Sequence, residues 1–352
     1  MKWLSATFLL VLIPINVVFS GFRDFGVGID TTVYIDWYFE QAQAIDNLKD
    51  LLSVEGSDAG FLLLAYIASF FSNDSQSLLV ITALFIQTFY FLALWQCKKT
   101  VNISIFVATA LFCLIYYGHT LNLMRQFCAL SLLAFGFSLF IQGKWKTYAV
   151  LQVCAYFFHS SSVLGIIVPL IWYISRIDNR RNRNLYSFMI IIGTFILLTS
   201  FFYIMPLFSS ISARLDVLID RYDMTGGYAN NTISTGTGLG KLFNFIYPIA
   251  FVLYAAYKKA LDQKYLCFLF VVTTIASLVQ VIGYYVDFLD RLAFYFSFIS
   301  YIFLSKVFVS KKINTFVKII MFAIYINSWY GMYIIGGGGD IVPYKSKILG
   351  IN

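Results

Sequence analysis

Long apolar runs separated by short polar segments make up most of the chain. About 20 apolar residues cross a membrane as a helix, because the backbone must satisfy its own hydrogen bonds in lipid. The pattern predicts an all-α, polytopic integral membrane protein of about 11 transmembrane helices, in a single membrane domain over residues 1–352. The predicted spans are Leu4–Ser20, Leu78–Cys97, Ile103–Tyr117, Leu121–Ile141, Tyr148–Phe158, Val163–Ile174, Leu185–Phe208, Leu242–Tyr257, Tyr265–Gly283, Leu292–Val309 and Phe316–Ile335.

Two longer polar segments interrupt these runs. In residues 21–60, hydrophobic side chains recur at helical spacing, which predicts an amphipathic helix capped by Asp30, Thr31 or Thr32. The following apolar stretch, Phe61–Phe71, is too short to cross and is predicted to be a half-helix or an interfacial segment. Residues 209–240 end in TGGYANNTISTGTGLG, a composition typical of a long loop.

Composition narrows the class of protein. The chain is 60% hydrophobic and 12% charged, with a mean hydropathy of +0.79, whereas a soluble domain is about 25% charged. The net charge of +8 does not indicate nucleic-acid binding, because the cations are scattered between apolar runs. The five cysteines form no CxxC pair and are expected to be packing residues, so we expect no metal site.

The distribution of charge predicts the orientation, because Lys and Arg accumulate in cytoplasmic segments. With a cytoplasmic N-terminus and about eleven crossings, most Lys and Arg residues lie inside, and among the acids only Asp178 and Asp262 do. The amphipathic helix, the loop 209–240 and the C-terminus then lie on the outer face, away from the cytoplasm. The first run is interpreted as an uncleaved span, because its flank FSGFRDF does not resemble a signal-peptide cleavage site.

Four polar groups fall at the outer ends of predicted spans, where ionisable residues are candidates for function. Each also has a structural interpretation, as an ion pair, a helix cap or a cation at the lipid headgroups. They are FRDFGVGID with Arg23 and Asp30 ahead of Tyr34, NLMRQ with Asn122, Arg125 and Gln126, FFHSSS with His159, and DFLDRL with Asp287, Asp290 and Arg291.

Three arginines near one leaflet favour a phosphate ligand. A guanidinium donates two parallel hydrogen bonds to phosphate, and an apolar bundle beside it can hold a lipid chain. Arg23, Arg125 and Arg291 therefore indicate a lipid-linked phosphate or pyrophosphate. The sequence contains no Walker loop, dinucleotide fingerprint or H-E-x-x-H motif, so we expect neither nucleotide chemistry nor a cofactor.

The order of these motifs resembles the EpsG-like group of Wzy-type polysaccharide polymerases. Over nearly the whole chain it reads FR…GxxID…Y, then SDAGF, NxxRQxxA, FHSS, RLxxYF and a C-terminal PYK. Two motifs depart from the family pattern. Gly28-Ile29-Asp30-Thr31 stands where Gly-Thr-Asp-Tyr is common, and Asp58-Ala59 stands where Glu-Pro precedes GF, which leaves the role of Asp58 open.

The resemblance implies a glycosyltransferase of the bacterial inner membrane that acts at the periplasmic face. Its product would be the O-antigen of lipopolysaccharide or a capsule polysaccharide. It implies transfer of a glycan from undecaprenyl pyrophosphate to a sugar hydroxyl of the next lipid-linked repeat unit. The expected partners are this donor, this acceptor, membrane lipid and a chain-length regulator protein, with no nucleic acid.

The hypothesis assigns roles to the candidate residues. Arg125 and Arg291, assisted by Arg23, bind the pyrophosphate, and either His159 or Asp30 is the base. Substrate contacts are expected from Tyr34, Asn122, Gln126, Asp287, Asp290 and Tyr344. Two other classes stay open: a polysaccharide O-acyltransferase, with a histidine deep within a span, and a lipid-linked oligosaccharide flippase or transporter, which usually shows repeat symmetry.

Overall fold

The computed structural model describes residues 2–54, 56–209, 239–283 and 287–351. Within these ranges the regular elements are helices, and no strand occurs there. The predicted all-α fold is therefore confirmed. Most of the predicted loop 209–240 lies outside the described residues, between a helix that ends at Ser209 and one that begins at Leu239.

The chain divides into two compact units. Unit 1 contains Met1–Ile166, Tyr301–Val309 and Ile313–Asn352. Its helices are α1 (Lys2–Gly21), α2 (Ile29–Gln43), α3 (Ala59–Ser69), α4 (Gln76–Val101), α5 (Ile105–Ile115), α6 (Tyr117–Asn122), α7 (Met124–Phe140), α8 (Trp145–Phe158) and α15 (Thr315–Trp329). Short helical segments lie at Leu48–Leu52, Ser160–Ile166, Tyr330–Ile335 and Gly338–Asp340.

Unit 2 contains Ile167–Ser300 and Ser310–Lys312. Its helices are α9 (Ile167–Ser175), α10 (Arg180–Ser209), α11 (Leu239–Tyr257), α12 (Gln263–Gly283) and the short α13 (Asp287–Leu292). The helix α14 (Phe294–Phe308) begins in unit 2 and ends in unit 1.

Several of these helices have the length and composition of membrane spans. Within the described residues, Gln76–Val101, Gln263–Val281 and Thr315–Ile335 are long and apolar enough to cross a membrane. Shorter apolar helices of 10–17 residues accompany them. This pattern is that of a polytopic membrane protein, while the number of crossings and their orientation stay predictions.

The amphipathic helix differs from its prediction in length and in its cap. It ends at Gln43 as α2, and the residue before it is Gly28, at φ 97°, with no side-chain cap. The predicted caps are therefore wrong, since Thr31 lies inside the helix. The buried side of α2, which includes Ile35 and Tyr38, packs against α3.

Polar motifs lie at one end of unit 1 and lysines at the other. The helix α4 begins at Gln76, whose side-chain amide donates to the carbonyl of Arg23 at 3.1 Å. Its last turn carries Lys98 and Lys99, and Lys99 lies 5.3 Å from the ring centre of Trp95. A lysine beside tryptophan at a helix end is typical of a membrane–water interface.

The helix α7 runs between α4 and α8 in unit 1. Residues 126–134 are buried on all sides, as expected of a helix surrounded by others. Arg125, one residue earlier, keeps 18% of its side chain exposed. The packing of α7 therefore fixes Arg125 at the motif-bearing end of the bundle.

Candidate functional site

Arg125 is the centre of a polar cluster at the start of α7. Its Nη1 donates to Asp58 Oδ2 at 2.6 Å and to the Tyr38 hydroxyl at 3.3 Å. The guanidinium carbon lies 4.4 Å from the ring centre of Tyr34, within the range of a cation–π contact. The side chains of Arg125 and Asp58 are 18% and 24% exposed. The protein therefore holds the cation in place, and a ligand can still reach it from outside.

The Tyr38 hydroxyl connects three helices. It accepts hydrogen bonds from Arg125 and, at 2.9 Å, from the backbone N–H of Asp58. The Tyr38 ring packs edge-on against Phe61, with ring centres 4.9 Å apart. Burial raises the pKa of Tyr38, so its hydroxyl stays neutral at physiological pH. The hydroxyl therefore fixes α2 and α3 relative to Arg125.

The SDAGF and FFHSSS motifs meet through a glycine. A Cβ at Gly60 would lie 3.0 Å from the carbonyl carbon and oxygen of Phe157, so α3 packs directly on the backbone at the end of α8. His159 follows as the first residue after α8, half-buried, and its N–H donates to the Ala155 carbonyl at 3.0 Å. The Arg125 cluster and His159 are thus joined by the short helix α3.

Arg23 has a different environment from Arg125. Only 2% of it is exposed, and its three nitrogens donate to the carbonyls of Ser20, Val27 and Leu121 and to the Thr31 hydroxyl. Burial lowers the pKa of Arg23 to about 10, which leaves it charged at neutral pH. A buried guanidinium must satisfy its donors within the protein. Arg23 therefore joins the loop after α1 to the α6–α7 junction, and its contact with a phosphate stays a prediction.

Asn122 and Arg125 do not share one helix face, contrary to the sequence-based expectation. The helix α6 ends at Asn122, and Leu123 departs from helical geometry at φ −87°, ψ 46° before α7 begins. The Asn122 amide donates to the carbonyl of Gly339 at 3.1 Å. Gln126 is buried in α7 with 3% exposure. Asn122 therefore holds the C-terminal segment, and Gln126 belongs to the bundle interior.

The C-terminal segment with the PYK motif lies against the loop after α1. The Tyr344 hydroxyl donates to the carbonyl of Phe19 at 2.9 Å. The N–H of Asp24 donates to the Lys345 carbonyl at 3.0 Å, and the Lys347 N–H donates to Asp24 Oδ1 at 2.9 Å. Two motifs at opposite ends of the sequence are therefore neighbours in unit 1.

The motifs assembled in unit 1 are those of one family. The sequence profile of the EpsG family matches residues 6–346. The chain belongs to the EpsG family. Members of this family are Wzy-like polysaccharide polymerases, which confirms the resemblance found in the motifs. No curated protein and no solved structure matches the chain.

The remaining EpsG-type motif lies in unit 2. Arg291 is exposed and Asp290 is half-buried on the short helix α13. The N–H of Ala293 donates to the carbonyl of Asp290 at 3.2 Å. The side chains of Asp287 and of Asp30 lie outside the described part of the structure, so the predicted roles of these two acids stay predictions.

Three residues at the motif-bearing end of this EpsG family chain were missed or undervalued by sequence reasoning. Tyr38 counted only as an apolar position of an amphipathic helix, although it lies one turn after Tyr34. Asp58 had no assigned role. His119 in α6 was overlooked beside His159, and its ring centre lies 6.1 Å from that of Tyr333. The i, i+4 spacing of Tyr34 and Tyr38 was an available signal for Tyr38, and the SDAGF motif was one for Asp58.

Proposed function

We propose that this EpsG family protein polymerises lipid-linked glycan repeat units at the periplasmic face of the bacterial inner membrane, in O-antigen or capsule synthesis. The donor is a glycan on undecaprenyl pyrophosphate, and the acceptor is a sugar hydroxyl of the next lipid-linked repeat. The observation that carries the proposal is the reachable guanidinium of Arg125 at the end of an apolar bundle, stacked 4.4 Å from Tyr34.

Arg125 is the proposed pyrophosphate ligand in unit 1. The acceptor oxygen attacks the anomeric carbon opposite the pyrophosphate, the bond from that carbon to the pyrophosphate oxygen breaks, and its electron pair leaves with the lipid pyrophosphate. A preorganised cation stabilises the charge that develops on this leaving group. The anomeric centre is inverted. Arg291 stays a predicted phosphate ligand in its own right, and Arg23 becomes a positioning residue.

His159 is the proposed base for the acceptor proton. An imidazole titrates near neutral pH, which suits proton transfer from a sugar hydroxyl. His159 immediately follows α8, whose end packs against Gly60 of α3, and Asp58 immediately precedes α3. Asp30 remains the rival base. Tyr34, Asn122, Gln126, Asp287, Asp290 and Tyr344 stay candidates for substrate contact or for support of these groups.

The experiment is complementation of a strain that lacks its own copy of the gene, with polymer length read on a gel. Arg125→Lys keeps the charge and loses the planar fork, so we expect a shift from long polymer to single repeat units. Arg291→Lys is tested separately in the same way. The matched control is Arg181→Lys, the same chemical change at an exposed position of α10, which should leave polymer length unchanged.

The gel also separates the other functions. Loss of a flippase leaves no repeat units on the outer-membrane lipid, and loss of an acyltransferase leaves full-length chains without the acyl group. Long polymer in the Arg125→Lys strain at normal protein level would contradict the guanidinium clamp, and long polymer with His159→Ala would remove His159 as the base.

A further inference from the structure

The ion pair between Arg125 and Asp58 leaves part of the guanidinium unused. Both polar contacts of Arg125 involve Nη1, with Asp58 Oδ2 at 2.6 Å and the Tyr38 hydroxyl at 3.3 Å. Among the described residues, none accepts a hydrogen bond from Nε or Nη2 of Arg125. A carboxylate that engages two guanidinium nitrogens is the stronger arrangement. The Asp58 carboxylate is held at Nη1 alone, so it is open to displacement by a ligand that engages two nitrogens of Arg125.

Asp58 stands where its carboxylate has a second partner within reach. It is the residue immediately before α3, and its carbonyl accepts from the N–H groups of Phe61 and Leu62 at 2.9 and 3.0 Å. A carboxylate at this position commonly accepts a hydrogen bond from the first-turn amides, where the helix dipole also favours negative charge. The Asp58 side chain makes no such cap bond here, since its Oδ2 is bonded to Arg125.

We propose that Asp58 is a displaceable occupant of the phosphate position on Arg125. Without substrate, the Asp58 carboxylate neutralises the guanidinium. When lipid pyrophosphate binds, a phosphate oxygen replaces the carboxylate at Nη1, and the Asp58 side chain rotates to cap α3. This inference rests on the proposed function, because it takes Arg125 as the pyrophosphate ligand. Asp58 is then a positioning residue that acts through Arg125.

Physical reasons favour both the pairing of Asp58 with Arg125 in the absence of substrate and its displacement by pyrophosphate. An unpaired cation at the end of an apolar bundle is costly, so an internal carboxylate stabilises Arg125 between turnovers. The displaced carboxylate loses an ion pair and gains a helix cap, which keeps the net cost of displacement small. A ligand must therefore bring more negative charge than one carboxylate, which a pyrophosphate does. The tyrosines hold the guanidinium in place throughout, because the Tyr34 ring and the Tyr38 hydroxyl do not depend on Asp58 Oδ2.

Binding of inorganic pyrophosphate to the purified full-length protein tests the exchange by calorimetry. Asp58→Asn removes the competing charge, so we expect its Kd to fall about five-fold. Asp58→Ser also removes the charge and retains a good cap residue, so it should give a similar fall and serves if the first variant folds poorly. Asp58→Glu retains a carboxylate and should leave the Kd at or above the wild-type value. Asp46→Asn, the same change at an exposed acid, should leave the Kd unchanged.

Kinetics give a second readout that a purely structural role would not move. With the Asp58 carboxylate absent, lipid pyrophosphate leaves Arg125 more slowly, so Asp58→Asn should lower both KM for the donor and kcat. A loss of kcat with a raised KM would instead show that Asp58 only supports the fold, and would overturn the proposal.

The role of Arg125 is tested separately with Arg125→Gln, which should weaken pyrophosphate binding about ten-fold or more. If it does so while Asp58→Asn leaves the Kd unchanged or raises it, the displacement is overturned and the proposed function stands. If Arg125→Gln binds pyrophosphate as well as the wild type, the pyrophosphate role of Arg125 is itself contradicted.

Discussion

Gly60 packs directly on the backbone of Phe157. A Cβ at residue 60 would lie 3.0 Å from the Phe157 carbonyl and 2.9 Å from the Phe158 ring. This contact gives a structural meaning to two short motifs that are about a hundred residues apart in the chain. The glycine of SDAGF lets α3 reach the end of α8, and His159 comes next along the chain.

Gly60→Ala is therefore expected to separate these motifs. The added methyl group must move the Phe157 backbone as well as the Phe158 ring, so we expect a cost of about 1–3 kcal/mol in stability and shorter polymer. Gly26→Ala is the control, because a Cβ at this exposed glycine would meet no atom within 4 Å. Thermal unfolding of the purified proteins and polymer gels measure both effects. Equal unfolding temperatures for the two variants would contradict the close packing.

The Tyr34 ring is expected to support the Arg125 guanidinium through its face alone. Tyr34→Phe keeps the ring and should retain near-normal polymerisation. Tyr34→Leu removes the cation–π contact, worth about 0.5–2 kcal/mol, and should lower the polymerisation rate about two-fold to thirty-fold. Rates are compared at matched protein levels. Equal rates for the two variants would show that the stacking has no role, and a low rate for Tyr34→Phe alone would assign the function to the hydroxyl.

Substitution of Arg23 is expected to affect stability, whereas substitution of Arg125 is expected to affect polymer synthesis. Arg23→Gln leaves buried carbonyls unpaired, at about 1–3 kcal/mol for each, so it should lower the unfolding temperature and the amount of folded protein. Arg125→Gln should leave the unfolding temperature near the wild-type value and abolish long polymer. Reversal of this pattern, with a stable Arg23→Gln protein and an unstable Arg125→Gln protein, would reverse the two assignments.

The C-terminal segment is expected to need glycine at residue 339. Gly339 has φ +69°, and a Cβ there would lie 2.2 Å from Asn122 Nδ2. Gly339→Ala should therefore cost about 1–2 kcal/mol in backbone strain alone, and also break the Asn122 contact. Limited proteolysis should then release the C-terminal segment faster. Adding Asn122→Ala removes the overlap but not the strain, so it should restore protection only in part.

The orientation of the chain can be measured at the two ends of unit 1. Asp46 and Lys144 are both exposed, and the charge pattern predicts that the first is periplasmic and the second cytoplasmic. In a variant whose five native cysteines are changed to serine, Asp46→Cys should react with a membrane-impermeant maleimide in intact spheroplasts. Lys144→Cys should react only after lysis. The opposite labelling pattern would show that the predicted topology is inverted.

The helices could be predicted because one apolar run makes one helix in lipid. The run predicted at Leu78–Cys97 is found within Gln76–Val101, and the short stretch predicted at Phe61–Phe71 is the eleven-residue helix Ala59–Ser69. The ends of helices were less predictable. The α6–α7 break at Leu123 lies inside a predicted span, and the cap of α2 is a glycine where a side-chain cap was expected. Both lie beside contacts made by residues distant in the chain: the Gly28 N–H donates to the carbonyl of Asp340, and Arg23 donates to that of Leu121.

The sequence by itself determined the helical membrane class, the family and the set of polar motifs, because these depend on hydrophobic run length and on residue order. It did not show that Arg23 and Arg125 have different environments, because both are arginines at the ends of similar apolar runs. Only the tertiary structure decided that Arg23 is enclosed by carbonyls, whereas Arg125 rests on Tyr34 beside Asp58. Whether a cation is buried or reachable depends on which helices surround it, and residues far apart in the chain decide that.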